Sequence, residues 1–137
     1  MQEKILSLIK ENPDVFKDDF SNNSTDDEKI AEAEKTLDLK FNDQYIWFLK
    51  NGIAGYQLFN NPETCVAKTL KGRKAGLPSN FLVIKNDAEY DDYCIDCIDT
   101  ETGKIINYFF LDDDEVEVTE KFPDFYSFYV DYLERYI

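Results

Sequence analysis

At 137 residues, with 43% hydrophobic and 15% aromatic side chains, the chain is long enough for one core and too apolar to remain disordered, even though 29 acidic residues outnumber 15 basic ones. It has no histidine, so the commonest general base and the middle member of the usual Ser and Cys triads are missing. Neither phosphate-cradling fingerprint, G-x-G-x-x-G or G-x-x-x-x-G-K-[ST], is present, which leaves nucleotide binding unsupported.

Residues 1–14 read as a short amphipathic helix without the unbroken apolar core of a secretion signal. No apolar run nears the roughly 18 residues of a membrane span, so cytoplasmic residence without a membrane partner is expected. Thr25 and Glu28 form a capping-box pattern that opens a helix with Ile30, Ala33 and Leu37 on one face and an end near Asp38. Asn42 is placed to cap the next helix, Phe41 and Ile46 to staple its start, and Asn51-Gly52 to stop it. Tyr45, Phe48 and Leu49 make its buried face, and Trp47 is read as a core aromatic rather than a ligand platform.

A short strand is expected near residues 56–59. Residues 62–74 fit a helix or an ordered loop, because Gly72 and Gly76 interrupt the period. Strand patterns follow at 81–85, 93–98, 104–111 and 115–119, the middle two joined by a hairpin turn at 99–103. In the last strand Val116 and Val118 alternate with Glu115, Glu117 and Thr119, which predicts a buried valine face and outward carboxylates roughly 6 to 7 Å apart. Pro123 suits the first turn of a final helix, where Phe125, Phe128, Tyr129, Tyr132, Leu133 and Tyr136 form an apolar stripe. The expected fold is a single α+β domain over residues 1–137: N-terminal helices, a central mainly antiparallel sheet of about 4–6 strands, and a C-terminal helix packed on that sheet.

The charge is patterned. Thirteen of the 29 acids lie between Asn86 and Glu120, where Lys104 is the single base, while Lys68, Lys71, Arg73, Lys74 and Lys85 make the preceding segment basic. A field of one sign speeds encounter with an oppositely charged partner and repels nucleic acid; a solvated face kept acidic for solubility is the plainer alternative. Asp91, Asp92, Asp112, Asp113, Asp114, Glu115 and Glu117 are the contact candidates, with Tyr90 and Tyr93 as aromatic anchors unless they pack within the sheet.

Residues 112–115 lack the sixth-position glycine that turns an EF-hand loop, and zinc would need more ligands than three cysteines and no histidine supply. Cys94 and Cys97 match C-x-x-C, yet in a strand residues three apart point to opposite faces, against a redox pair. Asp96 is the one acid expected within a strand that an enzymatic reading would use. No catalytic residue, cofactor or metal is therefore assigned, and the chain is read as a non-enzyme.

Taken in order, Ile30-x-x-Ala33-Glu34-x-x-Leu37, Leu39-x-Phe41, Tyr45-x-x-Phe48-Leu49-x-x-Asn51-Gly52, Leu77-Pro78, Cys97-Ile98-Asp99-Thr100 and Phe125-x-x-Phe128-x-x-x-Tyr132-Leu133 resemble the SUKH superfamily. That superfamily includes bacterial immunity proteins of polymorphic toxin systems and fungal cell-wall-assembly regulators. The similarity spans residues 27–136, with Asp38 standing where a glycine is common. It implies a non-enzymatic immunity protein that binds and blocks a cognate toxin inside the producing cell. With the charge pattern, the expected toxin is basic, a nuclease-type effector, captured through an acidic surface. A regulatory or scaffold module that binds a host protein is the alternative.

Overall fold

Local capping signals set where the helices begin and end. The computed structural model describes residues 1–16, 26–51, 58–59, 61–88, 91–98, 103–110 and 116–135. Helix α1 (Gln2–Glu11) and the single turn α2 (Pro13–Phe16) come first. Ile5 and Ile9, four apart, share the buried face of α1, which lies against the last helix, α6 (Phe125–Arg135). Lys4 pairs with Glu134 at 3.4 Å, and the Gln2 amide donates to the Tyr126 hydroxyl at 2.7 Å along the same seam.

Helix α3 (Asp27–Leu37) starts one residue later than the capping-box reading, since Asp26 is its cap and accepts the Lys29 N–H at 2.9 Å. A carboxylate there satisfies an orphan donor and also complements the helix dipole, which a threonine does not. Thr25 lies outside the described residues. The helix ends at Asp38, held in the left-handed region at φ 52°, where the Leu39 N–H donates back to the Glu34 carbonyl.

Asn42 caps α4 (Asp43–Lys50) as expected, its Oδ1 accepting from Gln44 and Tyr45 at 2.9 and 3.2 Å. Asn51 follows at φ −87°, and Gly52 falls outside the described residues. The ambiguous segment is a helix, α5 (Pro62–Lys74), capped by Asn61 with Pro62 at its start. Gly72 does not break it. A Cβ there would lie 3.0 Å from Leu77 Cδ2, so the glycine lets the chain fold back closely over the helix end.

Strands β1 (Phe81–Ala88), β2 (Asp91–Asp96), β3 (Ile105–Phe110) and β4 (Val116–Phe122) form an antiparallel meander in the order β1-β2-β3-β4. Of the strand expected at 56–59, Leu58 makes an isolated bridge to Lys85; residues 52–57 lie outside the described residues, as do 99–102 of the hairpin turn. Leu82, Ile84, Ile95 and Ile105 join the main core with α1, α3, α4 and α6, while Val83, Cys94 and Tyr108 form a smaller cluster with Leu77 on the opposite face.

Helix α6 lays its aromatic stripe on the main core. Phe128 stacks on Tyr93 and meets Phe122 edge-on, and Phe125 and Tyr129 pack with Tyr45 and Phe48. Its cap is Asp124, whose Oδ1 accepts the Ser127 N–H at 2.7 Å, so Pro123 precedes the cap instead of occupying the first turn. The result is a single α+β domain with N-terminal helices, a four-stranded sheet and a closing helix, and no described helix is long and apolar enough to cross a membrane.

Two backbone positions give opposite expectations. Gly103 has φ +63°, and a Cβ would sit 2.6 Å from Asn42 Nδ2 and 2.7 Å from Ile95 Cγ2. Gly103→Ala should lower stability by more than about 1 kcal/mol, whereas Asp38→Gly, relieving a left-handed non-glycine, should raise it by up to about 1 kcal/mol. Urea midpoints of the two variants against the parent check both signs.

Candidate functional site

The described residues of the acidic segment between Asn86 and Glu120 lie in different environments. Among the contact candidates, Tyr90 and the run Asp112, Asp113, Asp114 and Glu115 lie outside the described residues. Asp91 opens β2, where its backbone pairs with Ala88 and Phe109. Asp92, Tyr93 and Glu117 have described side chains, and the register puts Asp92 on the face of the sheet opposite to Tyr93 and Glu117.

Asp92 is only 7% exposed and accepts from the Asn86 amide at 2.5 Å. It points to the face of the small cluster, where Lys68, Lys71, Gly72, Ala75, Asn86 and Phe110 complete a cavity of about 80 Å³. One carboxylate of the acidic segment therefore looks toward the protein's own lysines. Its neighbour Tyr93 points the other way, because successive strand residues alternate. The Tyr93 ring stacks on Phe128 with centroids 6.1 Å apart, and the Lys85 ammonium lies 5.0 Å from its centroid. Both side chains have interior placements.

Glu117 is exposed on β4. The buried valine face expected for that strand is not formed: Val116 is 37% and Val118 52% exposed. Register explains why. Val116 and Val118 sit opposite Phe110 and Tyr108, so they share the face of the small cluster, but at the sheet's outer margin. Alternation selects a side; it does not supply a layer to cover it.

Asp96 accepts from Asn80 Nδ2 at 2.9 Å and from the Ile98 N–H at 3.1 Å, so its carboxylate closes the turn after β2. The thiols are all buried and free. Cys94 belongs to the small cluster and Cys97 to the main core, so the C-x-x-C pair straddles the sheet as its strand setting requires. Among the described residues no group of three or more His, Cys, Asp or Glu side chains could hold a metal ion.

A polar contact that the sequence did not signal joins α4 to α5. The Tyr45 hydroxyl, inside the core, donates to the Phe59 carbonyl and lies 3.0 Å from Cys65 Sγ. Burial pushes the Cys65 and Cys97 thiols up to about 12 and raises Cys94 and the Tyr45 phenol well above their ordinary values. Such thiols stay protonated and unreactive at neutral pH.

The sign of the resulting pH dependence follows from the folded state holding these protons more tightly than the unfolded state. Their contribution is fully present below the thiols' ordinary value of 9.0 and is lost as pH climbs toward about 12. Urea midpoints should fall across that window, less steeply in Cys65→Ala. At neutral pH a thiol reagent should modify the native chain only as fast as it opens, and the denatured chain at once.

In comparison with sequence families, the SUKH_5 family model, SMI1-KNR4 cell-wall, matches residues 2–134. The match begins at α1, ahead of the block from residue 27 on which the sequence resemblance rests. No curated protein matches the chain.

Proposed function

Because the chain belongs to the SMI1-KNR4 (SUKH) family, we propose that it is an immunity protein, a non-enzymatic binder that neutralises a cognate toxin. The observation that carries this reading is the family match over residues 2–134. Charge supports the finer part: with 29 acids against 15 bases, and the acids crowded between Asn86 and Glu120, the partner it suits is a basic protein such as a nuclease-type effector. Complementary charge acts mainly on the rate of encounter, and early capture is what an immunity protein needs. The proposed contacts are Asp91, Asp112, Asp113, Asp114, Glu115 and Glu117, with Tyr90 beside them.

Asp92 and Tyr93 enter this reading in a supporting part. Both are held within the sheet, so they shape the strand that carries Asp91 instead of offering a broad surface. The family's cell-wall description favours a second reading, a regulatory module that binds a host protein.

Co-expression with the toxin encoded beside it should rescue cell growth, and purified chain should bind that toxin one to one. Replacing Asp112, Asp113, Asp114, Glu115 and Glu117 by lysine should slow association about tenfold or more at low salt, with a smaller effect at high salt. Association rates unchanged by the reversal would remove the acidic segment from capture. Envelope defects on deletion, with no neighbouring toxin, would favour the regulatory reading.

A further inference from the structure

The two edges of the sheet are treated differently. Along β1, the Val83 N–H donates to Thr69 Oγ1 at 3.0 Å, the Ile84 carbonyl accepts from the Phe59 N–H at 2.8 Å, and Leu58 bridges to Lys85. Along β4, no described residue pairs with the outer edge; β3 is its one partner strand. All seven residues of β4 are exposed or half-exposed. Such an edge, unpaired among the described residues, runs roughly 23 Å and is a template for another strand.

The pairing with β3 sorts what such a strand would meet. Val116 and Val118 lie on one face, opposite Phe110 and Tyr108, and Glu117 and Thr119 on the other, opposite Phe109 and Asn107. From Val116 to Val118 the edge thus alternates apolar and acidic positions; beyond Thr119, Glu120 is paired with Lys104, and Lys121 follows it. A second copy of this chain is a poor occupant, since each copy brings a net charge of −14. In sequence, Asp112, Asp113, Asp114 and Glu115 lead directly into the strand, adding to the demand for positive charge.

The geometry points to the outer edge of β4 as the acceptor for an extended segment of a basic protein, added as a fifth strand. Backbone hydrogen bonds hold it, its apolar side chains lie over Val116 and Val118, and its lysine or arginine side chains reach Glu117 on the opposite face. This rests on the reading of the chain as a binder of a basic protein and names how the partner is held.

The test uses the full chain and a capped Lys-Val-Lys-Val-Lys-Val-Lys peptide as probe, read by amide exchange and NMR shifts. At saturating peptide, alternate amides of β4 should exchange at least about tenfold more slowly, with shifts centred on β3 and β4. Glu117→Lys should weaken binding several-fold, and a peptide with proline in place of its central valine should give no protection. No binding, no slowing in β4, or shifts spread over the exposed acids of α3 and α6 would overturn the proposal.

Rescue in cells separates this from the broader function. Val118→Pro, checked for folding by circular dichroism, and Glu117→Lys with Val118→Lys as a second edge variant, should lose rescue while the parent keeps it. Folded variants that rescue fully would overturn strand addition and leave the immunity reading standing; failure of the parent itself would overturn that reading instead.

Discussion

Asn42 is the side chain on which the joint between helices and sheet depends. It is fully buried, and a buried amide costs about 1–3 kcal/mol for each polar group left unpaired. Its Oδ1 takes the N–H groups of Gln44 and Tyr45, while its own backbone N–H bonds the Cys97 sulfur just past β2. Its amide nitrogen packs so close to Gly103, two residues before β3, that a side chain there would clash with it. The direction of α4 is thereby fixed against the end of the β2–β3 hairpin. One turn into the helix, Tyr45 carries the constraint onward: its hydroxyl reaches Phe59 and Cys65, and Phe59 in turn closes the edge of β1.

This chain of contacts makes the sheet asymmetric. Through Tyr45 and α5 the contacts reach β1, where Thr69 and Phe59 occupy outward backbone groups. At the other side α6 reaches β4 mainly through Phe122 and Phe128, near the strand's end, and the residues from Val116 to Glu120 lie beyond it. A helix placed over the aromatic centre of the sheet leaves Val116, Glu117 and Val118 exposed at its far margin. Three charged positions on the strand, Glu117, Glu120 and Lys121, and the register shift between Ile105 and Ile106 are ordinary means of discouraging self-pairing, and among the described residues they leave the edge open to a partner of the right charge.

Most of the helical fold is legible in the sequence because caps are local. Asn42, Asp38 and the aromatic stripe of α6 each declare their role within a few residues. Gly72 misleads for a reason equally physical: glycine marks a broken helix and a close approach with the same letter, and only the position of Leu77 distinguishes them. The site was less legible. Asp91, Asp92 and Tyr93 read as one charged and aromatic cluster, but register sends Asp92 toward Lys68 and Lys71 and Tyr93 under Phe128. Valine alternation in β4 likewise named a face without revealing that the strand stands at the margin. Pairing partners distant in sequence decide both.

Charge and backbone would divide the work of recognition by distance. Screened attraction acts over about 8 to 10 Å at ordinary ionic strength, far enough to gather a basic partner but too diffuse to fix its register. An open strand edge does the reverse: it exerts no pull until contact, then aligns hydrogen bonds every second residue and rejects a shifted segment that would bring its charges over Val116 and Val118. On this scheme the acidic run that leads into the edge strand would couple the two in sequence, so that capture would end where alignment begins. Specificity on this scheme resides less in the number of acids than in the alternation of Val116, Glu117 and Val118, which a partner strand must match residue by residue.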